Sequence, residues 1–481
     1  MIHLVPTPTK NELKDERIIF PANYRIPAEL DCAADTLCDF ARRIHGIAFS
    51  EGDGGIKLTL DTSLGTEAYA LDVSENGIFV SVADLRGAQN AVATLIQLMK
   101  KENSNISLPL GTLFDRPECS WRGVMIDLAR NWHDVSMLYE YIDMCRFYKV
   151  KYLHLHFTDD QSYTLPSKAF PKLSTVGRCY STEQIKGVIA YAKKRGIEIV
   201  PEVDAPGHTA CFNAAYGEIF GTNGIICQSN ESMQGMEAVY RELCELFEDS
   251  QYVHIGGDEA YNIPKWTTCP KCMDVYRRMG HDVDSMEKRE LEELMYATFL
   301  KRICEIILSC GKTPVMWEGF AKEVNHIIPK QAVVMSWENL YQTTPSLLEG
   351  GFRLVNCSWV PMYVLAPDKY WSPREIYDWN VYYWKPCHPR SPYIGSSITV
   401  EPTEQIEGGE LLAWGDHIIW SYPDNIEAGV REEQRLVEER VPCLAENVWN
   451  RTKKSSDHVF FAAYTNAMAL HKKLRENKNE E

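Results

Sequence analysis

Along most of the chain, short uninterrupted apolar runs alternate with longer stretches whose apolar positions recur at helical spacing. The first pattern belongs to strands buried on both faces and the second to helices that bury one stripe, so the alternation predicts βα units and a parallel sheet. The runs are "RGVMIDLA" from Arg122, "KYLHLHF" from Lys151, "IEIVPEV" from Ile197, "YVHIGGD" from Tyr252, "TPVMWEG" from Thr313, "AVVMSWE" from Ala332, "RLVNCSW" from Arg353 and "ELLAWGD" from Glu410. That number of strands predicts a (β/α)8 TIM barrel. Helices fit between several of them: "VSMLYEYIDMCRFY", "STEQIKGVIAYAKKRG" ending at Gly196, and "KRELEELMYATFLKRICEIILSCG" ending at Gly311. The long gap before the last run holds "YWSPREIYDWNVYYWKP" and predicts a large loop leaning over one end of the barrel.

Residues 1–115 read differently. Alternating strands ("IKLTLD", "AYALDV", "GIFVSVA") accompany two helical stretches ("AADTLCDFARRIHG", "LRGAQNAVATLIQLMK"), which predicts a small α+β accessory domain. The turn-rich "NISLPLGTLFDRPECSW" reads as a linker, and 116–481 as the barrel with a C-terminal helical tail whose end, "HKKLRENKNEE", is expected to fray.

Of the 481 residues 45% are hydrophobic and 24% charged, ordinary globular usage, and the formal net charge of -17 argues against nucleic acid, because phosphate binding needs a basic footprint. The 12 Trp and 24 Tyr suit stacking on sugar rings as well as filling a large core. The 15 scattered Cys fit a reducing compartment, and neither a signal peptide nor a transmembrane run is visible, so a cytoplasmic location with no membrane partner is expected.

Most proposed strands end in a polar or aromatic residue: Asp127 and Arg130, His156 to Asp160, Glu202 to His208, Asp258 and Glu259, Trp317 and Glu318, Trp337 and Glu338, Trp359, Trp414 and Asp416. Taken singly, each has a plainer role as a helix cap, loop partner or core residue. Together they fall where a TIM barrel places its active site, at the C-terminal ends of the strands. Asp258 and Glu259 are adjacent, so in a regular strand they point to opposite faces and cannot flank a scissile bond as nucleophile and acid. Glu259 is the candidate general acid, its proton retained by an apolar mouth and a neighbouring charge, while Asp258 stays ionised. A substrate's own acetamide can then supply the nucleophile.

The motifs "WRGVMIDLAR", "YLHLHFTDDQSY", "IEIVPEVDAPGHT", "VHIGGDEA", "GGELLAWGD" and "VPCLAENVWN" occur in an order that resembles the family 20 glycoside hydrolases, the β-N-acetylhexosaminidases. The resemblance implies an exo-acting enzyme that removes terminal β-linked GlcNAc or GalNAc with retention, needing neither cofactor nor metal, and allows a homodimer by analogy. It implies that Asp258 orients the acetamide and steadies an oxazolinium-like intermediate, and that Glu259 is the acid and base. His208 and Asp159 would form a relay behind Glu259, Arg122 and Glu410 would grip sugar hydroxyls, Trp317, Trp337 and Trp414 would wall the acetamide pocket, and Tyr363 would bond the acetamide oxygen. The chain departs from the family pattern at Asn131, where His is usual, at Leu365, where Asp or Asn is common, and at "QSY" in place of "QGW". Leu365 leaves the choice between gluco and galacto sugars open.

Two other readings compete. "HLH" with His208, His254 and Asp258 could be the metal set of an amidohydrolase barrel, although that motif belongs on the first strand and here lies on the second. A non-catalytic sugar-binding relative is the other, weighed against by an intact Asp258 and Glu259. Separately, "CPKC" from Cys269 to Cys272 is either half a zinc site, completed by cysteines distant in sequence, or a reduced loop pair.

Overall fold

The computed structural model describes residues 2–452 and 455–477. The eight predicted runs form β1 (Trp121–Asp127), β2 (Tyr152–His156), β3 (Glu198–Glu202), β4 (Tyr252–His254), β5 (Thr313–Trp317), β6 (Val333–Ser336), β7 (Arg353–Asn356) and β8 (Ile406–Ala413). They pair in parallel in that order, and Gly123 of β1 lies opposite both Tyr152 of β2 and Glu410 of β8, which closes the barrel. Both faces of every strand are covered, so β1 and β8 are buried along their whole length, as uninterrupted apolar runs require.

The helices follow the periodicity. Thr182–Lys194 opens with a capping box, in which the Ser181 hydroxyl and the Gln184 side chain each accept from the other's backbone N–H, and the chain leaves it through Gly196 at a φ of 67°. Lys288–Ser309 ends in the same way at Gly311, with a φ of 76°.

In the N-terminal part, the strands Ile56–Leu60, Tyr69–Ser74 and Gly77–Val82 and the helices Asp31–His45 and Leu85–Leu98 are where the pattern puts them, within a seven-stranded sheet. The segment read as a linker is folded. Asn105–Pro109 pairs with Arg17–Pro21, and Gly111–Asp115 pairs with Tyr69–Ser74. Gly111, at a φ of 126° and with no room for a Cβ beside the Glu12 carbonyl, makes the sharp bend between these two strands, which join different sheets, so a turn signal between consecutive strands mimics a linker. The tail is also better packed than expected. Asp457–Glu476 is one helix, His471 is buried, and the Arg43 guanidinium donates to the Leu474 carbonyl. Residues 478–481 lie outside the described part.

Buried charge joins the two regions at the base of the barrel. Lys149 Nζ is 2.8 Å from Asp115 Oδ2, Lys151 Nζ is 2.9 Å from Glu67 Oε1, and Arg122 also pairs with Glu67. Beside the barrel, Arg43 and Arg195 bridge Asp39 to Asp143. Among the described residues, no helix is long and apolar enough to cross a membrane.

Candidate active site

The strand β4 stops at His254, and the next six residues form an irregular turn in which Gly256, Gly257 and Glu259 have φ values of 69°, 100° and 43°. Gly256 must be glycine: a Cβ there would sit 1.6 Å from Asp204 Oδ1, and Asp204 holds the turn by accepting from the Gly257 N–H at 3.0 Å. Asp258 and Glu259 are therefore not strand neighbours on opposite faces. Both turn toward His208, whose Nε2 lies 4.0 Å from Asp258 Oδ2 and 3.5 Å from Glu259 Oε2. His208 itself has a left-handed backbone, at a φ of 50°, a conformation that non-glycine residues adopt at some cost in energy.

Behind His208 the contacts continue inward. Its Nδ1 is 3.4 Å from Asp159 Oδ1, Asp159 Oδ2 is 3.1 Å from His156 Nε2, and His156 Nδ1 is 2.5 Å from Glu202 Oε2. The expected pair of Asp159 and His208 is thus the outer half of a longer chain. His156 and Glu202 complete it, and their positions at the ends of β2 and β3 were the signal for them.

The aromatic box forms as expected, with an extra wall. Trp337 lies parallel to Tyr363 at 6.4 Å, Trp359 stacks on Tyr363 at 5.1 Å, and Trp414 lies 6.1 Å from Tyr363 and 5.8 Å from Trp317. Trp317 is fully buried and donates from Nε1 to Glu202 Oε1 at 2.8 Å, so it forms the floor. Asp258 Oδ1 is buried and accepts no hydrogen bond from the described residues, and Trp414 Nε1 donates none. Tyr261 was not anticipated. It follows Glu259 closely in sequence, donates to Glu259 Oε1 at 2.7 Å, and accepts from Arg390 at 3.3 Å, which brings the long excursion before β8 to the rim.

Two expected residues are elsewhere. Arg122 is the second residue of β1 and so lies at the base of the barrel, where it donates to the Lys149 and Cys119 carbonyls and to Glu67. Glu410 sits in the middle of β8, fully buried in the barrel interior, where it accepts from Trp121 Nε1 at 2.8 Å and faces His154 Nδ1 at 2.8 Å. In parallel strands the N-terminal end points away from the mouth. The matching groups at the mouth are Arg130 and Asp416. Arg130 packs 5.0 Å above Trp414 and pairs with Asp127 at 3.0 Å, Asp159 at 2.9 Å and Asp416 at 3.1 Å. Asp416 is the exposed member of that cluster.

The charge distribution also differs from expectation. Burial opposes a charge on His208, but Asp159 and the bonds to Asp159 and Glu259 outweigh it and raise its pKa well above the ordinary value. The His208 cation in turn lowers the Glu259 pKa, chiefly through its hydrogen bond and against the effect of burial. Asp258 is pushed up to about 6 by burial, with His208 opposing. In the free site Glu259 therefore ionises more readily and Asp258 holds its proton to higher pH, which reverses the expected order of the two pKa values.

The ring nitrogens of the "HLH" motif face carboxylates: His154 approaches Glu410 and Glu202, and His156 approaches Glu202 and Asp159. The sequence profile described as glycosyl hydrolase family 20, catalytic domain, matches residues 119–452, and that of the family's domain 2 matches residues 1–116. The chain belongs to glycosyl hydrolase family 20. It is 32% identical over 290 residues to a beta-hexosaminidase of Akkermansia muciniphila, covering 54% of this chain and 57% of that protein. It is 26% identical over 374 residues to the human beta-hexosaminidase subunit beta, covering 73% and 62%. The chain thus spans less than two thirds of these two relatives. The exo-beta-N-acetylglucosaminidase of Vibrio harveyi, solved with N-acetylglucosamine, superposes with a TM-score of 0.78 at 22% identity, covering 98% of this chain and 77% of that one. The (β/α)8 barrel behind an accessory domain is the fold that this family member shares with it.

Proposed function

We propose that this family 20 protein is a β-N-acetylhexosaminidase that removes terminal β-linked GlcNAc or GalNAc from glycans with retention, using the substrate's acetamide as nucleophile. The carrying observation is that Glu259 lies at the mouth with a histidine relay behind it, while its neighbour Asp258 presents an unpartnered oxygen beside an aromatic box. The acetamide N–H donates to Asp258 Oδ1, the Tyr363 hydroxyl donates to the acetamide oxygen, and the methyl group lies against Trp317, Trp337, Trp359 and Trp414. Attack by that oxygen on the anomeric carbon breaks the glycosidic bond as Glu259 protonates the leaving oxygen; Glu259 then takes a proton from water, which opens the oxazolinium ion.

The bound sugar excludes water from Glu259 and so raises its pKa from the free-site value, which supplies the proton that the first step needs. Asp258, ionised, faces the cationic intermediate. Arg130 and Asp416 hold the sugar's outer hydroxyls, since charge-assisted bonds suit them. Leu365 is buried and apolar next to that edge, and Asp368, its bridge partner, pairs with His417 at 2.6 Å.

The test is release of nitrophenol from the β-linked N-acetylglucosaminide and N-acetylgalactosaminide, with and without a chelator. Chelator-resistant turnover supports the reading. Binding of GlcNAc with no turnover on any β-N-acetylhexosaminide would leave a sugar-binding protein in its place.

A further inference from the structure

Three cysteines outside the active site converge although they are far apart in sequence. Cys227 follows the helix Ala210–Phe220, while Cys269 caps and Cys272 enters the helix Pro270–Arg278. Their sulfurs all lie within 4.8 Å of one another, and those of Cys227 and Cys272 are 3.6 Å apart. A tetrahedral thiolate site with Zn–S bonds of about 2.3 Å places its sulfurs about 3.8 Å apart, whereas a disulfide needs about 2.0 Å. Backbone N–H groups support the sulfurs as acceptors: Gln228 donates to Cys272 at 3.3 Å and Ser229 to Cys227 at 3.5 Å. The sulfurs face a surface cleft lined also by Glu218, Asn223 and Lys271.

We propose that Cys227, Cys269 and Cys272 bind one Zn2+ ion, with a fourth position open to the cleft and filled by water or an anion. Three soft thiolates select zinc over the hard cations, and the C-x-x-C of Cys269 and Cys272 is a spacing that two ligands to one ion commonly have. The half site of Cys269 and Cys272 is completed here by a single cysteine, distant in sequence, that the fold brings in. The ion would join the loop around Cys227 to the segment that begins at Glu259, two stretches already tied by Trp266 Nε1 donating to Ile226 O at 2.8 Å and by Asn262 Nδ2 donating to Gly224 O at 3.2 Å. Its place is therefore structural, bracing the loop that carries the acid, and it takes no part in bond cleavage.

The experiment is metal analysis of the full chain purified without chelator, for wild type, Cys227→Ser, Cys269→Ser and, as a control, Cys244→Ser. Wild type and control should carry one zinc per chain, and the two site variants should lose it. Wild-type protein stripped of metal and given Co2+ should develop the sulfur-to-cobalt charge-transfer absorption of a tetrahedral thiolate site, a readout that does not depend on the variants folding. Wild-type protein that holds no zinc and takes up neither ion overturns the proposal. So does zinc retained in Cys269→Ser, or an intact mass showing a Cys227 to Cys272 disulfide. None of these outcomes depends on glycosidase activity.

Discussion

His208 places Nε2 3.5 Å from Glu259 Oε2, and both residues hold a left-handed backbone conformation. Two strained residues facing each other from different loops fix the carboxylate at the mouth while leaving it free of the barrel interior. If Glu259 is the acid and base, Glu259→Gln keeps the shape and hydrogen bonding but removes the proton transfer. Turnover should fall by at least about 10²–10⁴-fold, the usual share of general acid and base catalysis. Calorimetry should find GlcNAc binding little changed. A near-wild-type rate would refute the role.

Burial of Asp258, opposed by the same histidine, sets the pH response. Asp258 must be ionised to face a cation, and its pKa is raised to about 6, so kcat/KM should fall as pH drops through that region. His208 is the charge that restrains both acids. Replacing it with Phe removes a cation, which favours the protonated forms, so the acidic limb should move to higher pH as well as the rate falling. The measurement is a pH profile of kcat/KM for wild type and His208→Phe. An acidic limb that stays in place would mean that His208 does not carry the charge assigned to it.

Asp258 makes a prediction of a different kind, because its work depends on the substrate. Asp258→Asn removes the negative charge beside the intermediate, and electrostatic groups of this sort contribute about 10²–10³ in kcat. The loss should be large for N-acetyl substrates and small for a 2-hydroxy glucoside, which has no acetamide to hold. Equal losses on the two would count against substrate assistance and in favour of an ordinary attacking carboxylate.

The barrel was legible because strands buried on both faces leave uninterrupted apolar runs, and each of the runs became a strand. The accessory domain was legible in its amphipathic helices but not at residues 105–115, where Gly111 turns the chain from one sheet to another and so imitates a linker. The convergence of candidate residues at strand ends, such as His208, Glu259 and Trp414, was legible because parallel strands collect their C-terminal ends at one mouth. The same rule, applied within a motif, separates Arg130 from Arg122 and Asp416 from Glu410: the later residue of each pair is past its strand, and the earlier one is at the base or inside. What no local pattern carries is the approach of His208 to Glu259, which lowers the Glu259 pKa, while burial raises that of Asp258, so the expected order of the two is reversed.

Arg122 and Arg130 should accordingly fail in different ways. Arg122 and Glu67 are both buried, and the pairing, with Lys151, overcomes burial to hold the Glu67 pKa at about 2 against an ordinary 4.5. A carboxyl depressed in the folded state stabilises the protein above its unfolded pKa, here by about 3 kcal/mol, and that contribution is lost as pH falls from about 4.5 toward 2. Arg122→Met leaves Glu67 with one cation fewer in a buried place, so it should lower the urea midpoint by the equivalent of about 3–5 kcal/mol while KM of the surviving folded enzyme stays near wild type. Arg130→Met removes the charge between Asp127, Asp159 and Asp416 at the mouth, so it should raise KM or lower kcat/KM strongly. A rise in KM for Arg122→Met with stability intact would return that arginine to the sugar site and contradict its place at the base of the barrel.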